Sequence, residues 1–90
     1  MCYVYILLCD EKTFYVGLTD NLERRLQQHQ RKESFYTKKF SSVGLVYNEQ
    51  ASSRQAGERR EKQMKGWSVA KKKALISGDI EKLQHLSKGH

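Results

Sequence analysis

The chain reads as a single α+β domain, and three observations predict that class. Two short runs rich in β-branched, aromatic and apolar residues, 3–9 and 14–18, are separated by Asp10-Glu11-Lys12-Thr13 and so form a β-hairpin. A capped helix and a third strand at about 43–48 follow. Serines and glycines then punctuate two further helical stretches. With 90 residues there is material for one modest core and no more.

In the hairpin, strand alternation puts Val4, Ile6 and Leu8 on one face and Tyr3, Tyr5 and Leu7 on the other, while Phe14, Val16 and Leu18 oppose Tyr15 and Gly17. If the larger apolar sets share the core face, Tyr5 and Tyr15 share the other. Gly17 on that side leaves the backbone bare, which suits a place where something must approach closely. The first helix is expected to be capped by Asp20, with Glu23 reaching back, and to run to about Arg31. Its apolar stripe is Leu22 and Leu26; Arg25 and His29 follow each by three residues and are expected at the edge of the core. Residues 31–42 are a polar, basic loop.

Ser52 and Ser53, with Gln55, announce a second helix to about Gly66. Gly57, Glu61 and Met64 share one side of it, whereas Glu58, Lys62 and Lys65 make a solvated row. Glu61 is thus an acid turned inward or into a cleft, and Met64 and Trp67 belong to the core. Ser68 caps a third helix through Ile76 that Gly78 ends, and Asp79 starts a short turn carrying Ile80, Leu83 and Leu86.

Composition narrows the function classes. There are 17 basic and 10 acidic side chains, a formal net charge of +7, and a mean hydropathy of −0.79. No apolar run approaches the length of a membrane span, and no basic region precedes the short apolar N-terminus, so a cytoplasmic protein without membrane partners is expected. Cys2 and Cys9 fall on opposite faces of one strand, about 23 Å apart if extended, too far to bridge. His29, His85 and His90 are scattered without metal-ligand spacing, and the last two are expected at the surface. The charge gathers in two blocks: residues 24–39 hold six bases and one acid, and 59–73 hold seven and one. Phe35, Tyr36 and Trp67 lie in or beside them, a composition suited to a polyanion backbone or to plain solubility.

Tyr3-Val4-Tyr5, then Tyr15-Val16-Gly17, then Arg25 and His29, then Ala56, Arg60 and Glu61 follow a spacing that resembles the GIY-YIG nuclease family over nearly the whole chain. Tyr36-Thr37 and Lys65-Gly66-Trp67 look like its small stand-alone bacterial branch. The resemblance implies one domain over 1–90, with a motif core at about 1–76 and a short helical extension at 77–90. It implies a small three-stranded antiparallel sheet flanked by helices, and a DNA endonuclease that is structure-specific or weakly specific and acts in repair or processing. The pattern departs in two places: Tyr3 stands where the first glycine would be, and no asparagine occurs between about 73 and 79.

Carried onto this sequence, the resemblance implies a catalytic set of Tyr5, Tyr15, Arg25, His29 and Glu61. Glu61 would ligate a single Mg²⁺ or Mn²⁺ as a hard oxygen donor. Arg25 suits a non-bridging phosphate oxygen. Tyr5 is the expected general base, its pKa lowered by its neighbours, with His29 relaying its proton and Tyr15 orienting water or phosphate. Gly17, Lys38, Lys39, Lys71, Lys72 and Lys73 are the expected nucleic-acid contacts, the lysines to backbone phosphates of DNA ahead of RNA. Taken singly, each residue has a plainer reading: paired strand tyrosines, solvated helix residues, a Glu61–Lys65 pair, a bulge glycine. Two rival functions remain, a non-catalytic nucleic-acid-binding module and an RNA- or ribosome-associated partner protein.

Overall fold

The computed structural model describes residues 1–34, 37–79 and 81. Over them run β1 (Cys2–Cys9), β2 (Thr13–Thr19), α1 (Leu22–Gln30), β3 (Val43–Ala51), α2 (Arg54–Lys65) and α3 (Val69–Ser77). The class is the expected α+β, a three-stranded antiparallel sheet with flanking helices. The expected turn bearing Ile80, Leu83 and Leu86, the histidines His85 and His90, and the loop aromatics Phe35 and Tyr36 lie outside the described residues. No described helix is long and apolar enough to cross a membrane.

The sheet order is β2-β1-β3, so β1 is central and pairs antiparallel on both sides. The hairpin closes where the Lys12 N–H donates to the Cys9 carbonyl at 3.2 Å, with Asp10 and Glu11 at φ 50° and 60°. Two left-handed residues are what a tight turn matched to strand twist requires. Asp10 also ties this turn to the start of β3, since its Oδ1 accepts the Ser42 N–H at 2.8 Å.

Being central, β1 is buried on both faces, and both carry a core. Val4 and Ile6 join Val16 and Met64, against which Phe14, Leu18, Val46, Tyr47, Trp67, Leu75 and Ile76 pack. Tyr5, Leu7 and Cys9 face the other way, against Tyr15, Leu22, Leu26, Phe40, Val43 and Leu45. Helices α2 and α3 therefore cover one face and α1 the other. β3 contributes to both through a register shift. Ile6 pairs with Tyr47 but Leu7 with Leu45, so Val46 is an extra residue that lets Val46 and Tyr47 both turn toward α2. The strand is longer than the expected 43–48. Cys2 and Cys9 are buried free thiols, and burial pushes the Cys9 pKa up.

The caps are those of the sequence with one correction. Asn21, not Asp20, caps α1, its side chain accepting the Arg24 N–H at 3.0 Å. Asp20 instead pairs with the Arg24 guanidinium at 3.2 Å. Ser53 and Ser68 cap α2 and α3, and Gly78 ends α3 at φ 74°. On the α2–α3 side, Glu49 accepts two hydrogen bonds from Arg60, at 3.0 and 3.2 Å, and one from the Tyr47 hydroxyl at 2.7 Å. Burial, then the bond to Glu49, pushes the Tyr47 phenol up to about 12.

Candidate active site

The site is built on the α1 face of the sheet around Tyr5, which is 1% exposed in the middle of the central strand. Its cross-strand partner is Gly17, and that pairing has a steric reason. A Cβ at position 17 would lie 2.4 Å from Cζ and Oη of Tyr5. What approaches the bare backbone is therefore the Tyr5 ring, and Gly17 is buried beneath it. Its expected contact with nucleic acid gives way to this role.

Helix α1 supplies the groups around the phenol. The Arg25 Nε–H donates to Tyr5 Oη at 3.3 Å, and His29 Nε2 lies 2.9 Å from the same oxygen. One turn separates the two residues, so both reach one point on the sheet. The Tyr15 ring stands 5.3 Å from His29 and 6.4 Å from Tyr5, edge-on or tilted. Tyr15 lies close enough to the Arg25 guanidinium to add to the rise in its pKa, and the Arg25 Nη1 donates to Gln28 at 3.1 Å. The bond to Tyr5 holds the Arg25 pKa above its ordinary value, so the guanidinium stays charged. Its fork of five N–H groups retains donors for an incoming anion.

His29 is not at the edge of the core as expected but fully buried, at 0% exposure. Its second nitrogen, Nδ1, meets Thr37 Oγ1 at 2.6 Å. The chain brings Thr37 there by reversing after α1. The N–H groups of Lys32 and Glu33 donate to the carbonyls of His29 and Gln28, with Lys32 at φ 65°, a Schellman-type ending. Thr37 is the residue that sequence reasoning missed as a site member. A threonine in an aperiodic polar loop gives no burial signal, and only Tyr36-Thr37 as a resemblance pointed toward it.

Electrostatics revise the expected chemistry of Tyr5. Burial raises its pKa, outweighing the lowering by the hydrogen bond from Arg25, so its neighbours do not make it a phenolate at neutral pH. Burial, and next the charge of Arg25, hold His29 down at about 4. The imidazole is accordingly neutral and able to accept a proton.

Glu61 comes from α2, beyond the sheet, and its side chain is 23% exposed. It is close enough for its charge to add to the rise in the Tyr5 pKa. Lys65 pairs with it at 3.3 Å, the plainer reading of the sequence, on a side where the lysine is half exposed and the pair is weak. No group of three potential metal ligands occurs among the described residues, so any ion here would rest on this one carboxylate and its own waters.

The expected phosphate contacts separate. Lys38 and Lys39 are exposed, just beyond Thr37. Lys71, Lys72 and Lys73 lie on α3, whose Leu75 and Ile76 pack on the opposite sheet face from Tyr5. Lys71 is not an exposed cation: it is 8% exposed and its ammonium sits 4.3 Å from the Trp67 ring centroid, a ring that Arg60 also approaches at 5.0 Å.

The chain, whose small three-stranded sheet gathers two tyrosines, an arginine and a histidine on one face, belongs to the GIY-YIG family. The family described as the GIY-YIG catalytic domain matches residues 1–74. Within it the chain is similar to the UPF0213 proteins, small single-domain relatives found in archaea as well as bacteria. It is 40% identical over 78 residues to the one from Natronomonas pharaonis, covering 86% of this chain and 92% of that protein. It is 42% identical over 83 residues to the one from Syntrophus aciditrophicus, covering 90% and 95%. The solution NMR structure of a UPF0213 protein from Bacillus halodurans superposes with a TM-score of 0.55 at 33% identity, over 86% of this chain and 84% of that one.

Proposed function

We propose that the protein is a metal-dependent endonuclease that hydrolyses DNA phosphodiester bonds, with Tyr5, Tyr15, Arg25, His29 and Glu61 as its catalytic groups. One observation carries the reading: residues 20 and 24 positions apart in sequence converge on a single buried phenol oxygen, at 3.3 and 2.9 Å. Arg25 receives a non-bridging oxygen of the scissile phosphate and neutralises charge as it builds there. Tyr5 takes a proton from the attacking water while passing its own to His29 Nε2, and Tyr15 orients the water or the phosphate.

The free protein opposes that transfer, because Tyr5 is raised and His29 lowered. A phosphodiester against Arg25 cancels part of the field that holds His29 down, so bound DNA makes the imidazole a better acceptor. Glu61 fits a divalent ion as a hard, partly exposed carboxylate and would hold Mg²⁺ or Mn²⁺, which supplies Lewis-acid compensation and acidic water for the leaving oxygen. Contacts made by lysines to phosphates position DNA without reading bases, which supports structure-specific or weakly specific cleavage in repair or processing.

The test is a panel of branched, flapped, single-stranded and duplex DNAs with each metal. Tyr5→Phe and Glu61→Gln are expected to lower cleavage by about 10²–10⁴-fold while binding persists. Equal nicking by wild type and both variants overturns the reading. The absence of an asparagine between about 73 and 79 favours a second reading, a non-catalytic nucleic-acid-binding module. Its signature is retained binding with no cleavage by wild type under either metal.

A further inference from the structure

Along the row Arg25–Tyr5–His29–Thr37, buried at all but its arginine end, the proton inventory fixes a tautomer. Arg25 can only donate, so the Tyr5 oxygen accepts its Nε–H. The 2.9 Å contact to His29 Nε2 then has two possible polarities. If Nε2–H donated to Tyr5, the phenol would accept twice and its own proton, at 1% exposure, would have no acceptor among the hydrogen bonds of the described residues. If the phenol donates, its oxygen accepts once and gives once. A phenol is also a much stronger acid than a neutral imidazole N–H, and an imidazole nitrogen a stronger base than a phenol oxygen. The stronger bond therefore runs from Tyr5 to a bare Nε2.

A neutral imidazole carries one proton, which must then be on Nδ1, 2.6 Å from Thr37 Oγ1. All the bonds of the row point one way, an arrangement in which each strengthens the next. The last proton, on Thr37, ends in a loop that also holds the buried Ser34 Oγ, which has no partner among the described residues.

We propose that Thr37 is a positioning residue: its hydroxyl accepts the Nδ1 proton of His29, fixes that tautomer and keeps Nε2 bare to receive the proton of Tyr5. Its use in catalysis rests on the nuclease reading, whereas the tautomer is a property of the free protein. Thr37 is also where the chain returns after the reversal at Lys32, so the loop and the helix meet at the imidazole.

The experiment is long-range ¹H–¹⁵N correlation NMR of the imidazoles in the ¹⁵N-labelled full chain at pH 7, with His29 assigned by its loss in His29→Gln. Wild type is expected to show a protonated, pyrrole-type Nδ1 and a bare, pyridine-type Nε2. Thr37→Val is expected to move His29 toward the other tautomer, and Thr37→Ser to restore the wild-type pattern. On a cleaved DNA substrate, Thr37→Val is expected to lower kcat by about tenfold or more at unchanged KM, again with recovery in Thr37→Ser. An Nε2–H tautomer in wild type overturns the proposal, as does a His29 spectrum that Thr37→Val leaves unchanged in a folded protein. If wild type cleaves nothing but shows the expected tautomer, the nuclease reading fails while the assignment of Thr37 to His29 stands.

Discussion

Alternate residues of one strand meet two different environments. Val4 and Ile6 point toward α2 and α3 into an apolar layer closed by Val16 and Met64. Tyr5, one residue between them, points toward α1 and into a row of polar groups in which a fully buried histidine takes part. The first face is held by area removed from water, at about 1.5–3 kcal/mol for each large side chain, and such contacts tolerate small shifts of shape. The second adds to the apolar contacts of Leu7 and Cys9 a row of donors and acceptors that fit in one arrangement, and a buried polar group left unmatched there costs about 1–3 kcal/mol. The face that carries the candidate chemistry is thus the less forgiving of the two.

A pair of glycine substitutions breaks the comparison most strongly. In Gly17→Ala the new methyl would lie 2.4 Å from the Tyr5 ring, which Arg25 and His29 hold from the other side. A destabilisation of about 3 kcal/mol is expected in urea unfolding, with loss of any cleavage. In Gly57→Ala, on the apolar face, the methyl meets the Leu18 Cδ1 at 2.7 Å. That atom ends a flexible, half-buried side chain, and alanine gains up to about 1 kcal/mol of helix propensity over glycine in α2. The net change is expected to stay below about 1.5 kcal/mol. Equal costs for the two variants would mean that the faces do not differ in tolerance.

Acid separates them by a comparable amount. The His29 pKa is held at about 4 in the folded chain, below the 6.5 of an ordinary histidine. Above pH 6.5 the imidazole is neutral folded and unfolded, and stability is at its full value. Between 6.5 and 4 the unfolded chain binds a proton that the folded one refuses, so stability falls as pH falls, and the loss is complete below about 4. Its size is up to about 3 kcal/mol. Urea midpoints measured from pH 7 to 4 are expected to show this drop in wild type and a flatter profile in His29→Gln. Parallel profiles would assign the acid sensitivity to other groups.

What the sequence made legible follows the same division. Periodicity and capping serines placed all three strands and three helices, because β-branched alternation and Ser/Gly punctuation are local signals. The Gly57–Glu61–Met64 side of α2 was readable for the same reason. The bulge at Val46 was not, since it is decided by how β3 settles against β1. Four of the five candidate groups, Tyr5, Tyr15, Arg25 and His29, meet on one face; strand alternation paired the two tyrosines, and only the resemblance joined Arg25 and His29 to them. The burial of His29 and the part of Thr37 were hidden: a polar residue beside an apolar stripe looks alike whether a loop covers it or water does. The division of the lysines between the faces was hidden for a related reason. Composition counts cations, and cannot tell that α3 lies across the sheet from α1 or that Trp67 covers Lys71.

The lysines offer the mildest perturbation and set the two faces side by side most directly. A protein contacting about five duplex phosphates has a log–log salt slope near −4, and each contact removed flattens it by about 0.9. If DNA lies on the Tyr5 side, Lys38→Gln with Lys39→Gln is expected to flatten the slope by up to about 2. Lys72→Gln with Lys73→Gln, on the helix whose Leu75 and Ile76 pack against the other sheet face, is expected to leave it unchanged. Lys71→Met is expected to leave it unchanged too, because that ammonium is turned onto Trp67. Fluorescence anisotropy of a labelled duplex across 50–200 mM salt reads all of these. A slope flattened equally by the α3 pair would place DNA on both faces, and the polar face would then lose its claim to be where the nucleic acid is held.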